Sequence, residues 1–184
     1  MKIPLFVCLL LLAIPDYAQT IAGKPLAYYM NERKIPLFVK EVYAGKKQPS
    51  DDEQTMGMLD SLVTNNVLTR PFYFVTITKT LRKADGAYAE ALGITAKDFV
   101  LRYPRFFVSY FNMKSNSMQQ DFKQWSGLIA GELLIENENA AVATGEKYGR
   151  LLNNNCNKCT ASQRRKLTAF SQSIISDMKR LSKL

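Results

Sequence analysis

The chain has 184 residues, 47% of them hydrophobic, and its 25 Lys and Arg against 16 Asp and Glu give a formal charge of +9. It contains no histidine, which excludes Ser-His-Asp and Cys-His catalysis, the H-E-x-x-H zinc proteases and C-x-x-C-H haem attachment. Neither G-x-S-x-G, G-x-G-x-x-G nor a P-loop occurs, so an enzyme built on this chain would have to work with carboxylates, Lys, Tyr or Cys.

The first segment reads as a secretory leader. Lys2 precedes an apolar run from Ile3 to Ile14, closed by Pro15 and Asp16; a positive start, a short apolar stretch and then small residues are the features of an export signal. The run is shorter than the roughly 20 apolar residues that a membrane span needs. Two cleavage points are open. A cut after Ala18 puts Asp16 three residues before the scissile bond, whereas a cut after Ala22 puts Thr20 there, which fits the small-x-small rule better. Either cut removes Cys8, and Leu5, Phe6 and Val7 before it do not make an acylation site. We therefore expect an exported protein, periplasmic or secreted, of about 160 residues with no transmembrane segment in its mature form, organised as a leader over 1–22, an arm over 23–50 and a helical domain over 51–184. The leader takes away one Lys and one Asp, so the mature chain stays basic. An anionic envelope component would suit that charge, although lysines spread over a surface also serve plain solubility.

Pro25, Pro36 and Pro49 limit the arm to short helices. A helix is expected near 51–66, where Met56, Leu59, Leu62 and Val63 fall on one face and Ser50 to Glu53 offers a capping box. The next segment, Thr69 to Leu81, is rich in β-branched and aromatic residues that favour a strand. Thr69 and Pro71 suit a helix start, and a lone strand would leave its backbone groups unpaired; a helix is expected. Between Lys83 and Gly93 an Asp-Gly turn brings Asp85, Tyr88 and Glu90 close in sequence. Two carboxylates can serve as acid and base in a hydrolase, but such pairs occur on any globular surface.

Phe99, Tyr103, Phe106, Phe107, Tyr110 and Phe111 form a stripe across 95–113, interrupted by Pro104, which predicts a kink or two short helices. The interleaved Arg102, Arg105 and Lys114 could accompany rings that stack on bases or sugars, but helical spacing favours core packing, and no specific nucleic-acid binding is expected. Phe122, Trp125, Ile129 and Leu133 line a helix near 118–137. Gly127 and Gly131 on it would permit close helix contact.

The turn "NNNCNKC" holds Cys156 and Cys159. In an oxidising compartment two near cysteines pair, and so short a loop would stabilise by about 2 kcal/mol in the chain-entropy picture. A redox role has one support: Cys159 sits beside a helix start and Lys158, both of which favour a thiolate. A metal site would need about four ligands, which one C-x-x-C pair without histidine does not supply. The last helix, near 160–183, buries Leu167, Phe170, Ile174, Met178 and Leu181 and carries Arg164, Arg165, Lys166, Lys179, Arg180 and Lys183 on the rest of its surface. That basic face is a candidate binding surface for an anionic membrane or a partner's groove; it equally suits a solvated face with cations at the helix C-terminus.

These readings predict an all-α single domain of about six or seven helices, a bundle or stacked pairs. The expected function is an exported, non-enzymatic helical module that binds a protein or anionic envelope component, with a Cys156–Cys159 disulfide and no cofactor or metal. The alternative is a small exported enzyme, either a thiol oxidoreductase using Cys156 and Cys159 or a hydrolase using Asp85 and Glu90.

Overall fold

In a computed structural model of the protein, the structure describes residues 20–64, 66–111, 116–137 and 140–183. The leader foreseen over 1–22 lies outside the described residues as far as position 19. Residues 20–22 lie inside them, and they are folded: β1 (Thr20–Ile21) pairs antiparallel with β2 (Lys24–Pro25). The turn between them has Ala22 and Gly23 at φ +50° and +78°, a left-handed conformation that glycine adopts at no steric cost.

Everything else in the described residues is helical or connecting. The arm forms two short helices, α1 (Leu26–Asn31) and α2 (Leu37–Tyr43), each starting directly after a proline, as the fixed φ of proline favours. It is no appendage, since Tyr29, Phe38, Val39, Val42 and Tyr43 are buried in the common core. α3 (Glu53–Val63) and α4 (Arg70–Thr80) follow, and a 3-10 turn over Leu81–Lys83 leads into α5 (Gly86–Arg102). α6 (Pro104–Tyr110), α7 (Asn116–Glu136), α8 (Ala141–Asn155) and α9 (Ala161–Leu181) complete the all-α domain. α9 lies along α7 and α8, α5 packs between α3 and α7, and α4 packs on α2 and α3.

The expected helix over 69–81 is present, and its burial explains its strand-like composition. Every residue of α4 except Lys79 is buried, and a helix with no solvent face carries no one-sided apolar pattern. Phe74 is the hub of the core. Its ring lies 4.7 Å from Tyr110, 5.2 Å from Trp125 and 5.4 Å from Phe99. The Thr76, Thr78 and Thr80 hydroxyls donate to carbonyls three or four residues back, which satisfies them without water.

Pro104 does divide the aromatic stripe into two helices, and the first begins at Gly86, ahead of the stripe expected across 95–113. A complete capping box opens α9, where the Thr160 hydroxyl and the Gln163 side chain bond reciprocally to each other's backbone amides. At α3 the cap is Asp52, whose carboxylate accepts the Thr55 amide at 2.8 Å; Ser50 serves it from one step back, its hydroxyl donating to the same carboxylate. The helix expected near 118–137 is α7, which begins at Asn116 and ends at Glu136.

The close approach expected at Gly127 and Gly131 is found instead at another glycine pair. A Cβ on Gly131 would meet nothing within 4 Å, and one on Gly127 would reach only Asp177 Oδ2 at 3.9 Å. Gly145 and Gly149 on α8 are the tight pair, where a Cβ would lie 2.8 Å from Ile175 Cγ1 and 2.9 Å from Ser171 Cβ.

Candidate ligand-binding site

Four stretches far apart in sequence enclose an apolar cavity of about 380 Å³, within the range of roughly 300–1,000 Å³ of small-molecule sites. β1 and its turn supply Thr20, Ile21 and Ala22; α4 supplies Pro71 and Val75; α6 supplies Phe106, Ser109 and Tyr110; α7 supplies Met118. Tyr110 carries the longest polar handle. Burial pushes its hydroxyl pKa up, and nearby Asp121 and Tyr43 add to the effect, so it stays protonated and able to donate. The Ser109 hydroxyl donates to the Arg105 carbonyl at 2.7 Å and accepts from Gln163 Nε2 at 2.8 Å.

Beside this cavity lies a shallower basic cleft of about 310 Å³, and Phe106 is a wall of both. The cleft brings together two stretches that drew attention in the sequence. Arg102, Tyr103, Pro104 and Arg105 come from one, and Asn155, Cys156, Asn157 and Lys158 from the other. Arg102, Arg105 and Lys158 are exposed. Arg102 Nε is held by Asp98 Oδ1 at 2.8 Å, and that hydrogen bond pushes the guanidinium pKa further up. With the exposed Arg105 and Lys158 it makes a positive edge suited to an anionic group, Asp98 offsetting part of the Arg102 charge.

Cys156 and Cys159 lie at disulfide distance, with their Cα atoms 5.3 Å apart. Arg164 explains how this turn is held. Its guanidinium donates to the Cys156 carbonyl at 2.9 Å and the Asn153 carbonyl at 3.2 Å, satisfying carbonyls at the C-terminal end of α8, where a cation is favoured.

The basic face of α9 is therefore only partly free to bind anything. Lys166 Nζ donates to the Phe111 carbonyl at 3.2 Å, and Arg180 reaches Asp177 at 3.4 Å. Arg165, Lys179 and Lys183 are exposed. Asp85 stands at the N-cap position of α5 without a side-chain capping bond, and Glu90 lies about one and a half turns along, about 140° around the axis. Both are exposed, and neither lines the cavity or the cleft.

A different carboxylate pair does converge, and the sequence analysis did not single it out. Lys97 on α5 reaches Glu132 Oε1 at 3.5 Å and also contacts Glu136, both on α7. Tyr148 donates to the Lys97 carbonyl at 2.8 Å, and burial pushes that phenol's pKa far up. One Lys between two carboxylates, closed over by Tyr148, ties α5, α7 and α8 together. The i, i+4 spacing of Glu132 and Glu136 was a signal that they share a face.

The cavity residues Ile21, Val75 and Met118 were likewise missed, because each reads in sequence as leader or as core. No helix of the described residues is long and apolar enough to cross a membrane, and no group of His, Cys, Asp and Glu among them is arranged to hold a metal ion. Compared with protein-family models, characterised proteins and solved structures, the chain matches none.

Proposed function

We propose that the protein is an exported, non-enzymatic helical module that holds the apolar part of an anionic envelope amphiphile. The cavity between β1, α4, α6 and α7 is the observation that carries this reading, since its walls are Ile21, Pro71, Val75, Phe106 and Met118 with hydroxyls only from Thr20, Ser109 and Tyr110. Apolar surface leaving water for such walls contributes about 25 cal/mol per Å². The head group would face the cleft of Arg102, Arg105 and Lys158 across Phe106, and the overall charge of +9 would favour its approach. Cys156 and Cys159 act as a clamp on the α8–α9 turn in this reading, and chemistry is not required of them.

The test is titration with a fluorescent acyl carboxylate. Wild type is expected to bind it saturably, and Val75→Phe or the rim variant Ser109→Phe to lose binding while the melting curve is kept. Arg105→Glu should weaken binding at low salt and lose most of that effect at high salt. Absence of binding to the wild type, or equal binding by both filled variants, would rule the reading out.

A further inference from the structure

Residues that the leader rule would discard are structural. Ile21 is 5% exposed, and its carbonyl accepts the Tyr29 hydroxyl at 3.1 Å. Tyr29 itself is 1% exposed and stacks on Phe72 at 5.5 Å, so Ile21 both pairs its hydroxyl and helps to cover it. Burial already pushes the Tyr29 pKa up. Thr20, Ile21 and Ala22 also form one wall of the apolar cavity. A leader cut after Ala22 would remove all of these at once, take away the partner of the Tyr29 hydroxyl and open the cavity. A cut after Ala18 keeps them.

We propose that export processing cuts the Ala18–Gln19 bond and that Thr20 to Ala22 stay with the mature fold. An exported peptidase adds one water across that peptide bond, leaving a carboxylate on Ala18 and a free amine on Gln19. The small-x-small rule favours the other site, but the product of that cut would lack β1, which pairs with Lys24–Pro25 and walls the cavity. The inference rests on the export part of the proposed function, not on its ligand.

The experiment expresses the full chain in a secreting bacterial host and determines the N-terminus and intact mass of the protein recovered outside the cytoplasm. A chain beginning at Gln19 is expected, either free or lighter by one ammonia through cyclisation of the N-terminal glutamine. A chain beginning at Gly23 overturns the proposal. An uncut chain confined to the cytoplasm overturns it too and identifies the export reading as the failed premise. As a second measurement, chains made to begin at Gln19 and at Gly23 are melted side by side. The Gln19 form should melt several degrees higher, and Tyr29→Phe should lower its melting point but not that of the Gly23 form. Equal melting of the two forms would sink the structural argument.

Discussion

The Trp125 indole Nε1 donates to Thr78 Oγ1 at 3.1 Å, and that hydroxyl donates in turn to the Phe74 carbonyl at 2.8 Å. This chain of bonds joins α7 to the fully buried middle of α4. Thr78→Val keeps the shape and removes the acceptor, leaving a buried indole N–H unpaired. It should cost about 1–3 kcal/mol, read by urea unfolding. Trp125→Phe removes the donor as well as much packing, so in the double variant the loss should fall short of the sum of the two single losses.

Glycines that look alike in sequence carry opposite predictions, two on α8 against α9 and one on α7. Gly149→Ala should destabilise by about 1–3 kcal/mol, because its new methyl would meet Ser171 Cβ, which sits on a helix backbone and has no freedom to yield. Gly145→Ala should cost less, since Ile175 Cγ1 and Met178 Sδ are parts of longer side chains. Gly131→Ala meets nothing and should stabilise by up to about 1 kcal/mol through helix propensity. Thermal melts of the three variants check the order.

Replacing both Cys156 and Cys159 by Ser should lower stability by about 2 kcal/mol without changing the circular dichroism spectrum. Arg164→Ala frees the Cys156 and Asn153 carbonyls that the guanidinium holds. It should make the wild-type disulfide more easily reduced, measured as a faster reaction with dithiothreitol. An unchanged reduction rate would separate Arg164 from the clamp.

Two carboxylates should titrate in opposite senses. Hydrogen bonds from Ser50, first, and from Thr55 hold the Asp52 carboxyl below its ordinary range. Its contribution is present above the unfolded pKa of about 3.9 and lost as pH falls through the lower folded value. Burial holds Asp121 above that range, partly offset by Arg82. Its contribution is present below the unfolded value and lost as pH rises through the raised one. Unfolding free energies of Asp52→Asn and Asp121→Asn, taken from neutrality to about pH 2, should show this. Asp52→Asn loses less stability than wild type on acidification. Asp121→Asn is the more stable protein at neutrality, and its advantage closes in acid.

How much was legible without coordinates follows from where each signal resides. Three- and four-residue spacings were enough for the helices that have a wet and a dry side, such as α9 with Leu167, Phe170, Ile174 and Met178 buried. Caps were read less well. Ser50 and Asp52 sit two residues apart, and only the folded start of α3 decides which carboxylate or hydroxyl meets the Thr55 amide. The cluster of Lys97, Glu132 and Glu136 required knowing that α5 and α7 are neighbours.

By itself, the sequence determined an all-α chain whose lack of histidine bars a broad set of catalytic chemistries, because periodicity and composition are local properties of the chain. The tertiary structure alone decided that Ile21 is buried in the core, that Gly145 and Gly149 are the tight pair, and that Thr20, Val75, Phe106 and Met118 face one cavity. The physical reason is that burial, close approach and enclosure are relations between segments, and no stretch of chain carries them until its distant partners are in place.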